Sequence, residues 1–328
     1  MHRQNLEEWV TNNAIDELID VRLTGIRYAA RDTHIFELRK VDGSPLPGLE
    51  PGAHIDIHLP NNVIRQYSLL HSGPCLTAYS VGVKRDRNSR GGSVFMHDNL
   101  RVGTALKISR PRNHFPLHLD APANVLIGGG IGITPLYCMA NRLCELNKPW
   151  RLFYATRTRV DAAFLEELSA HENVTFHFDD EQAGKVLDLE EIVRNATRSA
   201  HFYCCGPTPM IKAFEAAAAD VPSECIHVEY FTAASAPAVE GGFTVELARS
   251  KMEFAIPPGK TILEILVAAG VQVPRSCESG VCGSCETRIL MGQADHRDSI
   301  LDERERAEGR TMMICCSGSK SQRLVLDL

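Results

Sequence analysis

The chain changes its hydrophobic rhythm three times. From about Val21 to Arg112, apolar and polar residues alternate with a period of two, most cleanly in Ala53-His-Ile-Asp-Ile-His-Leu59. That pattern predicts a strand with Ile55, Ile57 and Leu59 facing inward. His54, Asp56 and His58 then share its outer face; such a trio can hold a metal, but it reads first as a solvated strand face. Turn-rich breaks at Asp42-Gly-Ser-Pro45 and Ser72-Gly-Pro74 separate further short strands, and a small antiparallel barrel is expected.

From about Pro122 strands alternate with helices. Residues 124–127 read as a short buried strand followed by a glycine loop, with Thr134 as helix N-cap and Pro135 at the first helical position. Leu136, Met139, Ala140 and Leu143 recur at helical spacing on one face. Residues 151–155, 174–178 and 201–205 are further strands with helical stretches between them, the pattern of a parallel sheet. Residues 233–242 are small and flexible in composition, and read as a linker. Beyond them, 243–247 and 252–256 alternate and are expected to pair as a hairpin. Thr261 and Glu264 make a capping-box pattern, Ile262, Ile265, Leu266 and Ala269 line one helical face, and Gly270 ends the helix.

Composition narrows the classes. With 328 residues, 44% hydrophobic and 23% charged, the chain has the makeup of an ordinary globular protein with room for two or three cores. A net charge of −6 argues against a nucleic-acid binder. The first eight residues carry acidic groups where a signal peptide needs an apolar core, so a cytoplasmic protein is expected. Residues 121–141 hold no charge, yet Pro122, Pro135 and the glycines at 128, 129, 130 and 132 break them up, and no membrane span is expected. Eleven cysteines, an odd count, argue against a disulfide framework. Four fall in one spacing pattern, and the other seven are expected to be small buried apolar residues.

That pattern is the strongest chemical signal. Cys277-Glu-Ser-Gly-Val-Cys282-Gly-Ser-Cys285, with Cys315 downstream, is C-x4-C-x2-C plus a distant cysteine, the plant-type [2Fe–2S] spacing. Soft thiolates suit iron, and Gly280 and Gly283 let the backbone turn sharply and aim N–H groups at sulfur. A zinc ribbon wants two separated C-x2-C pairs and only one is present; a thioredoxin-like pair leaves Cys277 unexplained. Cys315 and Cys316 are adjacent, and on a strand only one of them can face a cluster.

Residues 277–288, Ala294-Asp-His-Arg-Asp298 and the ending from Met312 to Leu328 resemble the phthalate dioxygenase reductase family, and the resemblance runs from about Ile26 onward. It implies three modules: an antiparallel β-barrel flavin domain (1–118), an α/β parallel-sheet NAD-binding domain (119–232), a linker (233–241) and an α+β β-grasp ferredoxin domain (242–328). It also maps the fourth cluster ligand to Cys315, with Cys316 standing where the family has a small apolar residue.

The remaining motifs are weak alone. Arg65-Gln-Tyr-Ser68 lies on an expected strand, with Arg65 and Tyr67 on one face and Ser68 on the other. Arg90-Gly-Gly-Ser93 runs into a helix, where backbone N–H groups make an anion site. Gly128-Gly-Gly-Ile-Gly-Ile-Thr-Pro135 departs from the G-x-G-x-x-G fingerprint at Ile133 and matches the G-G-x-G-x-T-P loop of ferredoxin reductase-like proteins. Cys205-Gly-Pro-Thr-Pro209 repeats the strand end, cap and proline.

The resemblance assigns Arg65, Tyr67, Ser68, Lys84, Gly91, Gly92 and Ser93 to FMN, and Phe231, in Val228-Glu-Tyr-Phe231, to stacking on the flavin. It assigns Gly129, Gly130, Gly132, Thr134, Pro135, Cys205, Gly206 and Pro207 to NADH, with Cys205 near the nicotinamide. Arg157 or Arg159, after the second strand, would meet a 2′-phosphate if NADPH were used. It implies hydride transfer from NADH to FMN, single electrons through the cluster, and a Rieske-type aromatic oxygenase as acceptor. A cytochrome P450, a separate ferredoxin and a non-turnover redox sensor are the competing readings. The charged run 302–308 reads as a solvated face.

Overall fold

In the computed structural model, which describes residues 18–87, 89 and 91–328, the chain divides into two compact units, residues 1–229 and 230–328. The first contains two sheets. Its antiparallel sheet is built from β1 (Ile19–Ala30), β2 (Thr33–Lys40), β4 (Ala53–His58), β5 (Ile64–Ser68), β7 (Tyr79–Lys84), β8 (Ala105–Ile108) and β9 (Arg112–Asn113), with β3 (Leu46–Leu49) and β6 (Gly73–Leu76) as a separate pair. The order is β5-β4-β8-β1-β2-β7, with β9 beside β4. A bridge between Leu69 and Val81 and the Leu70 N–H to Ser80 carbonyl bond join the two ends, so the sheet closes as a barrel and leaves little open edge. Val21, Leu23, Phe36, Ile55, Ile57 and Val81 fill it.

The outer face of β4 departs from expectation. Ile55 and Ile57 point inward, but His54 and Asp56 are buried as well. Arg112 pairs with Asp56 at 2.5 Å, and the His114 ring stacks on His54 with centroids 5.3 Å apart. Both ring nitrogens of His54 lack a hydrogen-bond partner, and burial first, then the Arg112 charge, lowers its pKa well below the usual histidine value. Alternation along one strand says nothing about a second layer laid over its polar side.

The parallel sheet comprises β10 (Asn124–Gly129), β11 (Trp150–Thr156), β12 (Val174–Phe178), β13 (His201–Cys205) and β14 (Ile226–Glu229), in the order β12-β11-β10-β13-β14. Helices α2 (Ile133–Glu145), α3 (Leu165–Ser169), α4 (Leu189–Arg194) and α5 (Thr208–Ala217) lie between its strands; α1 (Ser93–Asn99) belongs to the barrel. Leu136, Met139, Ala140 and Leu143 are all buried, as their spacing predicts. They share one core with Ala30, Ile35, Leu70 and Phe115 of the barrel region. Continuous burial of this kind is why two sheets make one unit.

The second unit pairs β15 (Phe243–Leu247) with β16 (Met252–Ile256) at the predicted residues, and places β21 (Arg323–Leu326) centrally, in the order β16-β15-β21-β17-β19 with β17 (Glu286–Met291) and β19 (Thr311–Met313). β18 (Ala294–Asp295) and β20 (Gly318–Ser319) form a small ladder. Thr261 and Glu264 form the capping box of α6 (Ile262–Ala268). The buried face is Ile262, Leu263 and Leu266, whereas Ala269 lies past the helix end and is exposed. The charged run forms α7 (Glu303–Glu308) under a second capping box, Asp302 with Glu305.

Two compositional expectations change. The small-residue segment is tied down: Ala238 is buried and donates to the Cys316 carbonyl at 2.7 Å, and Ser235 Oγ donates to the Arg297 carbonyl at 3.4 Å. Of the seven cysteines outside the spacing pattern, Cys138, Cys204, Cys205 and Cys316 are buried, but Cys75 and Cys144 are exposed and Cys225 half-buried.

Candidate nucleotide, flavin and cluster sites

The order of the parallel sheet reverses at β10, with β11 on one side and β13 on the other, and ligands of such sheets bind outside the carboxyl ends of the strands at that point. Both predicted loops, after β10 and after β13, meet there. Their glycines serve different ends. A Cβ on Gly129 would lie 2.5 Å from Met210 Sδ and 2.7 Å from Pro207 Cδ, and one on Gly132 would run into the Cys205 carbonyl. These two are glycine because the loops touch. Gly130, at φ +53°, faces open space, which leaves it the glycine that can admit a pyrophosphate. Tyr154 holds it by donating from its hydroxyl to the Gly130 carbonyl at 3.1 Å.

The caps shift by a residue or two. Gly132 caps α2, so Thr134 lies within the first turn, where its hydroxyl donates to the Ile131 carbonyl at 3.0 Å. Pro207 caps α5, and Thr208 is the first helical residue. Backbone N–H groups still open both helices toward the loops, which is what an anion needs.

One polar residue was missed. Glu229 ends β14 and pairs in register with Cys205, which is buried. Its Oε2 is fully covered with no hydrogen-bond partner, and burial raises the carboxyl to about 8, so at neutral pH it is protonated. Burial pushes the Cys205 thiol well above its usual range, and the Glu229 charge adds to this once that carboxyl ionises. The available signal was position, a lone acid at the carboxyl end of a parallel strand.

At the second strand, Arg159 is already engaged. It pairs in bidentate fashion with Glu181, Nε–Oε1 3.1 Å and a second contact at 3.0 Å, and lies 4.4 Å from the Phe178 ring centroid. The acidic turn Asp179–Gln182 stands beside it, an environment that disfavours a 2′-phosphate.

In the barrel, Gly92 packs directly under Arg65: a Cβ there would come within 2.6 Å of Arg65 Cγ and 2.7 Å of Nε. Gly91, at φ +81°, accepts from Asn61 Nδ2 at 2.9 Å, and Ser93 Oγ accepts from the Asp86 N–H at 3.1 Å. The fold therefore brings Arg65 to the start of α1. Tyr67 is largely buried and Ser68 fully so; Lys84 is exposed, with its charge felt at Asp161. Arg90 lies outside the described residues. Phe231 is 38% exposed and belongs to the second unit.

In the cluster loop the thiols associate as Cys277 with Cys282 and Cys285 with Cys315, a thiol of one donating to the other, which lowers the pKa of Cys277 and Cys315. All four are buried. The Ser279 N–H reaches Cys277 Sγ at 3.4 Å, the Cys277 N–H reaches Cys282 Sγ at 3.5 Å, and the Gly280 N–H points at Cys315. Gly280 and Gly283 both sit at φ +73°. Four thiols in two pairs, wrapped by backbone donors, fit a two-iron cluster. Cys315 and Cys316 lie in a turn rather than on a strand, so strand alternation does not separate them; Cys315 meets Cys285, and the Cys316 thiol lies beside Cys315 and 3.8 Å from the Met313 carbonyl.

Comparison with known proteins agrees. Residues 245–319 match the model of the 2Fe-2S iron-sulfur cluster binding domain, and residues 126–216 that of the oxidoreductase NAD-binding domain. The chain is 50% identical over 311 residues to the phenoxybenzoate dioxygenase subunit beta of Ectopseudomonas oleovorans, covering 94% of this chain and 97% of that one. It is 46% identical over 317 residues to the tetrachlorobenzoquinone reductase of Sphingobium chlorophenolicum, covering 94% and 98%. Among solved structures, phthalate dioxygenase reductase superposes with a TM-score of 0.72 at 40% identity, over 95% of this chain and 98% of that one. An intact type IV self-sufficient cytochrome P450 monooxygenase gives 0.86 at 35% identity, all of this chain matching 43% of the larger protein. No helix among the described residues is long and apolar enough to cross a membrane. The chain belongs to the phthalate dioxygenase reductase family of electron-transfer reductases, which work with NADH, FMN and a [2Fe–2S] cluster.

Proposed function

We propose that this reductase serves a Rieske-type oxygenase that hydroxylates or demethylates an aromatic compound, in the cytoplasm, where NADH and reduced thiols are maintained. The observation that carries the acceptor is the 50% identity, end to end, with a protein named as a dioxygenase subunit. When bound, NADH supplies a hydride, FMN converts the pair into single electrons, and the cluster passes them on.

The chain's own residues hold and insulate those groups. Cys277, Cys282, Cys285 and Cys315 would hold the cluster, with the N–H groups of Cys277, Ser279 and Gly280 stabilising charge on sulfur. Arg65, Tyr67, Ser68, Lys84, Gly91, Gly92 and Ser93 would hold FMN, with Phe231 as its stacking residue. Gly129, Gly130, Gly132, Thr134, Pro135, Cys205, Gly206 and Pro207 shape the nicotinamide site. Glu229, kept protonated by burial beside Cys205, adds no negative charge to that pocket at neutral pH. The working boundaries are 1–118, 119–232, 233–241 and 242–328.

An anaerobic NADH titration followed by absorbance and electron paramagnetic resonance tests the reading. Flavin bleaching with a reduced-cluster signal is expected, and Cys282→Ala should keep the first and lose the second. A flavin that stays oxidised in that variant would overturn the division of labour. The 46% identity to a quinone reductase favours a second acceptor. Turnover with a purified Rieske oxygenase, set against a halogenated benzoquinone and a P450, separates the readings.

A further inference from the structure

Three imidazoles converge at the end of the parallel sheet opposite the glycine loops. His201 opens β13, His227 is the second residue of β14, and His118 lies in the segment between β9 and β10. One ring nitrogen from each falls within 4.8 Å of the other two; among the described residues this is the group of three metal-capable donors that gathers so closely. His201 Nδ1 and His227 Nε2 are 3.0 Å apart. The His118 and His227 rings stack with centroids 4.7 Å apart, and the Tyr203 ring stacks on His227 at 4.5 Å. The Tyr203 hydroxyl accepts from the His118 N–H at 2.9 Å and so fixes the segment that carries the third ring.

We propose that His118, His201 and His227 form a binding site for a divalent transition ion of the zinc class, with water in the fourth position. Three neutral imidazole nitrogens are a known zinc donor set, and an ion bonded at about 2.0–2.1 Å wants its donors roughly 3.3 Å apart in a tetrahedron. The His201–His227 pair already stands near that spacing. His118 needs only a small side-chain movement, and it is exposed, so the ion enters from solvent. Without an ion the two partly buried nitrogens of His201 and His227 share one proton; an ion replaces it and engages all three rings.

The site lies away from the redox chemistry. His201 and Cys205 are four residues apart on one strand, about 13 Å. A bound ion would therefore fasten the segment joining barrel and sheet to β13 and β14, and its effect would be on stability and not on hydride transfer.

The test is a calorimetric titration of the oxidised holoprotein with zinc chloride, alongside His118→Ala, whose exposed position leaves the fold intact, and His201→Gln as a second variant. The parent should take up one equivalent and gain thermal stability. Each variant, with unchanged flavin and cluster absorbance, should lose roughly 10–100-fold in affinity, at least what removal of an outer partner of a metal ligand costs. Absence of stoichiometric uptake by the parent, or equal uptake by His118→Ala, would overturn the proposal.

Discussion

The nucleotide loop and the cluster loop are both rich in glycine, but for different physical reasons. Gly129 and Gly132 have ordinary backbone angles, φ −120° and −62°, and alanine could adopt either. They are glycine because the loop after β13 occupies the space of a side chain. Gly280 and Gly283 sit at φ +73°, where an L-residue is strained whatever its neighbours. The first loop is specified by tertiary packing and the second mainly by local conformation.

The same contrast separates two covered carboxyls. Glu229 has no partner on Oε2, and burial raises it. Asp298 is buried too, which alone would raise it, yet the His296 side chain first, then the N–H groups of Leu301 and Ile300 at 2.9 and 3.1 Å and the nearby Arg306, bring it below the usual range. Burial sets the penalty, and hydrogen bonding decides whether the charge survives.

Substitutions can break or sharpen this comparison. The largest effect is expected for Gly132→Ala, whose Cβ meets a carbonyl that cannot swing aside. Overpacking against backbone should cost about 3 kcal/mol, read as a lower thermal midpoint and slow flavin reduction by NADH. A midpoint equal to the parent's would mean that the loops are not in contact. Gly280→Ala should cost about 2 kcal/mol, from the left-handed backbone plus a contact 2.5 Å from Cys316 Sγ, with reduced iron content per chain. Adding Cys316→Ala should recover only the contact part; full recovery would show that conformation contributes nothing.

A comparable effect is expected from pH. Glu229 binds its proton more tightly folded, at about 8, than at its ordinary 4.5. Its contribution is therefore complete below about 4.5 and is lost as pH rises through 8. Between pH 6 and 9 the parent should lose about 3 kcal/mol that Glu229→Gln does not lose, measured by denaturant unfolding at each pH. Parallel curves would contradict a protonated Glu229. The smallest effect belongs to Gly130→Ala, which meets nothing within 4 Å and bears only the strain of φ +53°, about 1 kcal/mol. It should raise KM for NADH while leaving the fold and the cluster spectrum alone.

Much was legible because it is local. The strand pair 243–247 and 252–256, the Thr261–Glu264 capping box, the buried stripe of α2 and the C-x4-C-x2-C spacing each depend on residues a few positions apart. β14 is only four residues long and carries no local signal that marks it as a strand, so Glu229 at its end does not stand out beside Phe231.

What the amino-acid order determined by itself was periodicity, capping and the reach of one loop around four thiols, because these follow from backbone geometry over a turn or two. The tertiary structure decided the rest. It covered the polar face of β4 with Arg112 and His114, pressed the loop after β13 against Gly132, pinned the small-residue segment at Ala238, and drew His118 to two strands more than eighty residues away. Each of these rests on contacts between distant parts of the chain, which no local pattern encodes.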